Sequence, residues 1–70
     1  MTEIMLVQLP SKNFVGRKLD ADLYQLDRSY VVQTRYCHAF ANYTPATVVG
    51  SSITFQGAPS SCTIIRAWRL

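Results

Sequence analysis

The chain has 70 residues, 49% of them hydrophobic and 16% charged, with a net charge of +3 and a pI near 9.2. Its length allows one domain, residues 1–70, and excludes a multidomain enzyme. A chain this short buries only about 60% of the surface its unfolded form exposes, and the charged fraction is below the ~25% usual in soluble proteins. Together these favour a homo-oligomer or a permanent partner.

The opening, MTEIMLVQLPSK, has no basic leader, and Gln8 and Pro10 interrupt its apolar run. It does not read as a signal peptide, and no segment approaches the roughly 18 apolar residues of a membrane span. The expectation is a cytoplasmic protein whose Cys37 and Cys62 are reduced rather than bridged. The first element, Glu3 to Leu9, reads as a strand stopped by Pro10 and Ser11. Residues 11–18, SKNFVGRK, read as a loop with Arg17 and Lys18 at its tip. Gly16 would let the backbone approach a phosphate there.

Leu19, Leu23, Leu26 and Tyr30 recur at helical spacing behind Asp20, a good N-cap. The same stretch also alternates loosely, as a short strand does. Of the two, a short helix over 19–27 is favoured. Next comes the strongest strand signal, Ser29 to Ala41, rich in β-branched and aromatic residues. Alternation puts Tyr30, Val32, Thr34, Tyr36, His38 and Phe40 on a core or interface face, and Arg35 and Cys37 on a smaller, more polar one. Asn42 to Pro45 reads as a turn, 47–56 as a strand with a bend at Gly50, 57–61 as a turn, and Cys62–Leu70 as a closing strand. The fold class is mostly β, or α+β if the helix forms. The architecture is a small antiparallel sheet or barrel of at least four strands.

Charge is unevenly spread. Residues 1–27 hold four acids and three bases, and residues 28–70 hold four arginines and no acid. That asymmetry points to an anionic partner. Arg66 and Trp68 would share a face with Cys62 and Ile64, and Arg69 would take the other. A guanidinium holds phosphate in a fork, and an indole stacks on a base. Arg35, Arg66, Trp68 and Arg69 are therefore the candidate ligand-binding residues, with Arg17 and Lys18 peripheral. Trp and Arg also dominate protein-interface hot spots.

Tyr30, Tyr36 and Tyr43 interleave with Arg28 and Arg35, as in sheet-based single-strand binders, but without the glycine-aromatic signature of those proteins. Neither phosphate-loop pattern is present. The three Cys and His residues fall short of a structural zinc set, and Cys37 and His38, adjacent on a strand, would point apart. No metal or other cofactor, and no catalytic pair, is expected. The sequence thus describes a non-enzymatic basic binding module that acts as a homo-oligomer and holds nucleic acid or a small nucleotide. The rival reading is a protein-interaction module. It would be an inhibitor or adaptor of the kind phages and other mobile elements carry, bound to a host protein.

Overall fold

The computed structural model describes residues 9–70 in full and the backbone of Met5–Leu6. Every regular element among them is a strand: β1 (Met5–Leu6), β2 (Asn13–Asp20), β3 (Leu23–Leu26), β4 (Tyr30–Arg35), β5 (Asn42–Val49), β6 (Ser52–Phe55) and β7 (Cys62–Arg69). Neighbours run antiparallel in the order β1-β7-β4-β3-β2-β5-β6, and β6 returns to β7. Strands β2 to β7 therefore close a six-stranded barrel. β2, β3 and β4 follow one another through hairpins, and β5 crosses back to lie beside β2, which is a Greek-key path. β7 is the closing strand. One edge pairs with β4 from Tyr30↔Arg69 to Arg35↔Thr63, and the other meets β6 at Thr63 and Cys62 and β1 at Trp68 and Arg69. A closed barrel leaves few bare edges, and among the described residues the ladder on that second edge of β7 is made at its two ends only. The rest of the expected first strand lies outside the described residues.

The helix expected over 19–27 does not form. Asp20 pairs with Leu23, so Ala21 and Asp22 make a two-residue turn, with Asp22 at φ 54°. Aspartate tolerates this left-handed geometry better than most residues. The inward residues are then Tyr24 and Leu26, two apart, and Leu19 is exposed. From Asn13 onward the 11–18 stretch belongs to strand β2, which pairs with both β3 and β5. Gly16 faces inward on it. A Cβ at Gly16 would sit 2.6 Å from Cε1 of Phe55, a ring fully enclosed beside Tyr24. The glycine therefore admits a core ring, and Arg17 and Lys18 follow it along a strand rather than at the tip of a loop.

The long strand ends early, at Arg35. Tyr36 takes φ 51°, and the chain leaves the sheet. Asn42–Pro45 is not a turn but the start of β5, where Tyr43 is an extra residue between the Thr44↔Gly16 and Asn42↔Arg17 pairs, at φ 55°. Gly50, at φ 60°, is a corner of the Val49–Ser52 hairpin rather than a bend within one strand.

The core holds Phe14, Tyr24, Leu26, Val32, Val48, Ile53 and Phe55. Tyr24 and Phe55 meet at 4.8 Å between centroids, and Phe14 meets Tyr30 edge-on at 5.8 Å. Cys37 and Cys62 are bonded across 25 residues of sequence, which corrects the expectation of free thiols. A loop of that length corresponds to about 3–4 kcal/mol of stabilisation in the chain-entropy account. Gly16→Ala is expected to destabilise the barrel by about 1–3 kcal/mol through overpacking against Phe55. Urea unfolding midpoints of the two proteins measure it, and an unchanged midpoint would show that the Phe55 ring can yield.

Candidate binding ridge

The segment Tyr36–Ala41 crosses one end of the barrel and is tied down along its length. The carboxylate of Asp22 accepts a hydrogen bond from the Cys37 amide at 2.6 Å and one from the Thr34 hydroxyl at 3.2 Å. From inside the core the Tyr24 hydroxyl is 2.9 Å from the Ala39 carbonyl and 3.3 Å from that of Cys37, so its single proton is shared with Ala39 favoured. The Lys18 amide donates to the Ala41 carbonyl at 2.9 Å, and Cys37 is bonded to Cys62.

Tyr36 resets which side chains face out. On β4 the inward residues are Val32 and Thr34, and after Tyr36 they are Cys37 and Ala41, with Ala39 half-buried. Tyr36, His38 and Phe40 were expected on the core or interface face. They point to solvent, with Tyr36 83% and Phe40 87% exposed. Left-handed backbone is uncommon for bulky residues, and such strain concentrates at functional positions. Tyr43, 66% exposed, shares that backbone geometry. Its hydroxyl is 3.2 Å from a guanidinium nitrogen of Arg17, whose central carbon lies 5.9 Å from the ring centroid.

Three hollows run in series along this side. The first lies between residues 35–40 and 56–63, the second beside Arg17, Lys18 and Asn42, and the third beside Arg17, Arg28 and Tyr43. Phe40 lines the first and second, and Arg17 the second and third. Shared wall residues join them in one series, a ridge that carries the bases Arg35, Lys18, Arg17 and Arg28 and the aromatics Tyr36, Phe40 and Tyr43. Asp20 lines the second hollow and Asp27 the third.

The six expected ligand-binding residues separate. Arg35, Arg17 and Lys18 are on the ridge. Arg66 pairs with Gln33, two residues from Arg35, and so lies one row along the outer face of the sheet. A bulge at Ile65 turns Arg66 and the half-buried Trp68 outward while Cys62 and Ile64 face in, which breaks the shared face expected for these four. Arg69 sits elsewhere, its guanidinium carbon 5.9 Å from the Tyr30 ring centroid. Tyr36, Phe40 and Tyr43 are the residues that sequence reading undervalued. The signal for them was the run Cys37, Ala39, Ala41, whose small side chains suit the crowded inner side of a barrel end.

What the ridge offers chemically is stacking faces and phosphate-holding forks. Both sulfurs are in the bond, which leaves no free thiol. Among the described residues no three of His, Cys, Asp and Glu gather as metal ligands, and no helix is long and apolar enough to cross a membrane. The class defined by this geometry is a small disulfide-tied Greek-key barrel carrying a basic aromatic ridge. No family model, curated protein or solved structure matches the chain.

The Cys37 amide holds the Asp22 carboxyl below its ordinary 3.8, against the opposing effect of burial and with help from the Thr34 hydroxyl. A carboxyl lowered on folding stabilises the protein above its unfolded value, and that gain is lost as pH falls through the folded value. Stability is therefore expected to drop below about pH 4, and Asp22→Asn to flatten that acid limb while lowering stability at neutral pH. Thermal midpoints from pH 2 to 7 test this, and parallel curves for the two proteins would remove Asp22 from the tether.

Proposed function

We propose that the protein is a binding module that holds a single-stranded nucleic acid on the ridge from Arg35 to Arg28. The observation that carries this reading is the continuity of the three hollows through Phe40 and Arg17. It spaces exposed aromatic rings and cations along one track, which is what sequence-tolerant single-strand binders use. The barrel is 34 Å in its longest dimension, suited to the low end of the ~4–16 nucleotides that single barrel domains cover. Arg66 extends the track beyond Arg35, and Trp68 and Arg69 are outside it in this reading.

Phosphate binding releases counterions, with a log–log salt slope of about −0.7 per phosphate on single strands. Four ridge cations give an expected slope of about −3, read by fluorescence anisotropy of a labelled oligothymidine. Phe40→Ala should weaken binding about 5- to 150-fold, the worth of one stacked base. Tyr36→Gly should do the same while leaving the thermal midpoint level or higher, because glycine takes the left-handed geometry without steric cost. A salt-independent Kd, or full binding by both variants, would remove nucleic acid from the ridge.

A protein partner is the second reading, and one observation favours it. Tyr36 and Phe40 stand on backbone held by the core, by Asp22 and by the disulfide, so they are presented rigidly, as interface anchors are. An inhibitor or adaptor working this way would lose its partner on Phe40→Ala with little change across salt. Either reading accommodates a second copy, since Val49, Ile65 and Leu70 are also exposed, and light scattering reports the mass directly. For compartment, the disulfide favours an oxidising setting over the cytoplasmic one expected from sequence.

A further inference from the structure

We propose that the first hollow is a pocket for a phosphomonoester, so that the ridge recognises a phosphorylated strand end. This inference rests on the nucleic-acid reading of the ridge. The hollow is one end of the series, sharing Phe40 with the second and no residue with the third. Its lining sets it apart: no acid among the described residues lines it, whereas Asp20 and Asp27 line the others. Residues 35–40 and 56–63 wall it around a volume of about 430 Å³, close to the 460 and 410 Å³ of the other two. That is near the low end of small-ligand pockets, which run ~300–1,000 Å³, and suits one nucleotide rather than several.

The donors fit such a group. The Arg35 guanidinium forms forked hydrogen bonds to phosphate oxygens. His38, Ser60, Ser61 and Thr63, each with a side chain able to donate to phosphate, line the same walls. A diester inside a strand carries about one negative charge, while a terminal monoester carries about 1.5–2 and three strong acceptor oxygens. An acid-free hollow with several donors favours the monoester over the diester, and acid-bearing hollows do not. Tyr36 and Phe40 at the rim are placed to stack the adjoining base. The walls are also fixed before any ligand arrives, because Cys37 belongs to one segment and Cys62 to the other and the disulfide joins them. A preformed pocket loses less entropy on binding.

The test compares three internally labelled oligothymidines that differ in their ends: 5′-phosphate, 3′-phosphate, or hydroxyl at both. One phosphorylated end is expected to bind at least about tenfold tighter than the unphosphorylated strand. Ser61→Ala should reduce that advantage and keep hydroxyl-ended binding, and Arg35→Gln should erase it while also weakening the hydroxyl-ended strand, as loss of a ridge cation does. Arg17→Gln should weaken all three strands alike. Equal affinity for the three strands overturns the pocket and leaves the ridge standing. Adenosine monophosphate distinguishes the source of the phosphate: competition as strong as the phosphorylated strand assigns the pocket to free nucleotides, and much weaker competition assigns it to strand ends. If no strand binds, the nucleic-acid reading of the ridge has failed. Titrating adenosine monophosphate against labelled protein by NMR then decides the pocket: shifts at Arg35 and Ser61 retain it, and their absence overturns it as well.

Discussion

The Tyr24 hydroxyl is the point at which the core and the ridge meet. Tyr24 is wholly enclosed, its ring lies against Phe55, and Phe55 in turn occupies the space left by the missing side chain of Gly16. The hydroxyl leaves this apolar stack to reach the carbonyls of Cys37 and Ala39. A buried hydroxyl without a partner would cost roughly 1–3 kcal/mol, so the loop cannot lift from the barrel without exposing that cost. Burial, with the nearby Asp22 charge, pushes the tyrosine pKa up and keeps the donor protonated. Glycine, phenylalanine, tyrosine and loop carbonyls thus form a single mechanical line from β2 to the exposed aromatics.

Around that line the remaining tethers have different physical origins. The Asp22 contacts are hydrogen bonds to a carboxylate and weaken as it protonates, the disulfide is covalent and opens to reductants, and the hydrogen bond from the Lys18 amide extends the sheet's own bonding. Their independence matters because exposed aromatics on a floppy loop would collapse onto the apolar surface nearby. Held as they are, Tyr36 and Phe40 keep their faces open at an ordering cost already met in folding. The charge distribution is likewise a product of the fold. Sequence divides the bases into an acidic-leaning front and a basic back, and the barrel then sets Arg17 and Lys18 of the front beside Arg28 and Arg35 of the back. Asp20 and Asp27 come with them, which leaves the hollow at the Arg35 end as the one of the three with no acid in its lining.

The strand-rich character was legible from β-branched content and turn spacing, and β4 and β7 lie within the ranges those signals mark. Residues 19–27 were misleading because leucines three and four apart satisfy a helix while Tyr24 and Leu26, two apart, satisfy a strand. What settles the matter is a two-residue turn at Ala21 and Asp22, which has no strong glycine or asparagine signal. Gly16 looked like a loop glycine because its partner, Phe55, is 39 residues away. Arg35, Arg17 and Lys18 were named from charge, and the barrel places them along one series of hollows. Tyr36, His38 and Phe40 were assigned to the wrong side because alternation carries a phase, and nothing local announces that Tyr36 would break it. The pairing of Cys37 with Cys62 depends on closure of the barrel, which no local pattern encodes.

That break in phase bears on how the segment could vary. From Cys37 to Ala41 small residues facing in alternate with large residues facing out, anchored at one end by a sulfur bond and at the other by the Lys18 amide. Adding or removing one residue between the anchors would exchange the two sets, turning aromatic rings toward the barrel and alanines toward a ligand. Adding or removing two would preserve the order and lengthen or shorten the outer row by one side chain. The segment therefore behaves as a row that changes in steps of two, and related chains that share the barrel would be expected to differ here by even increments while the side chains on its outer positions diverge freely.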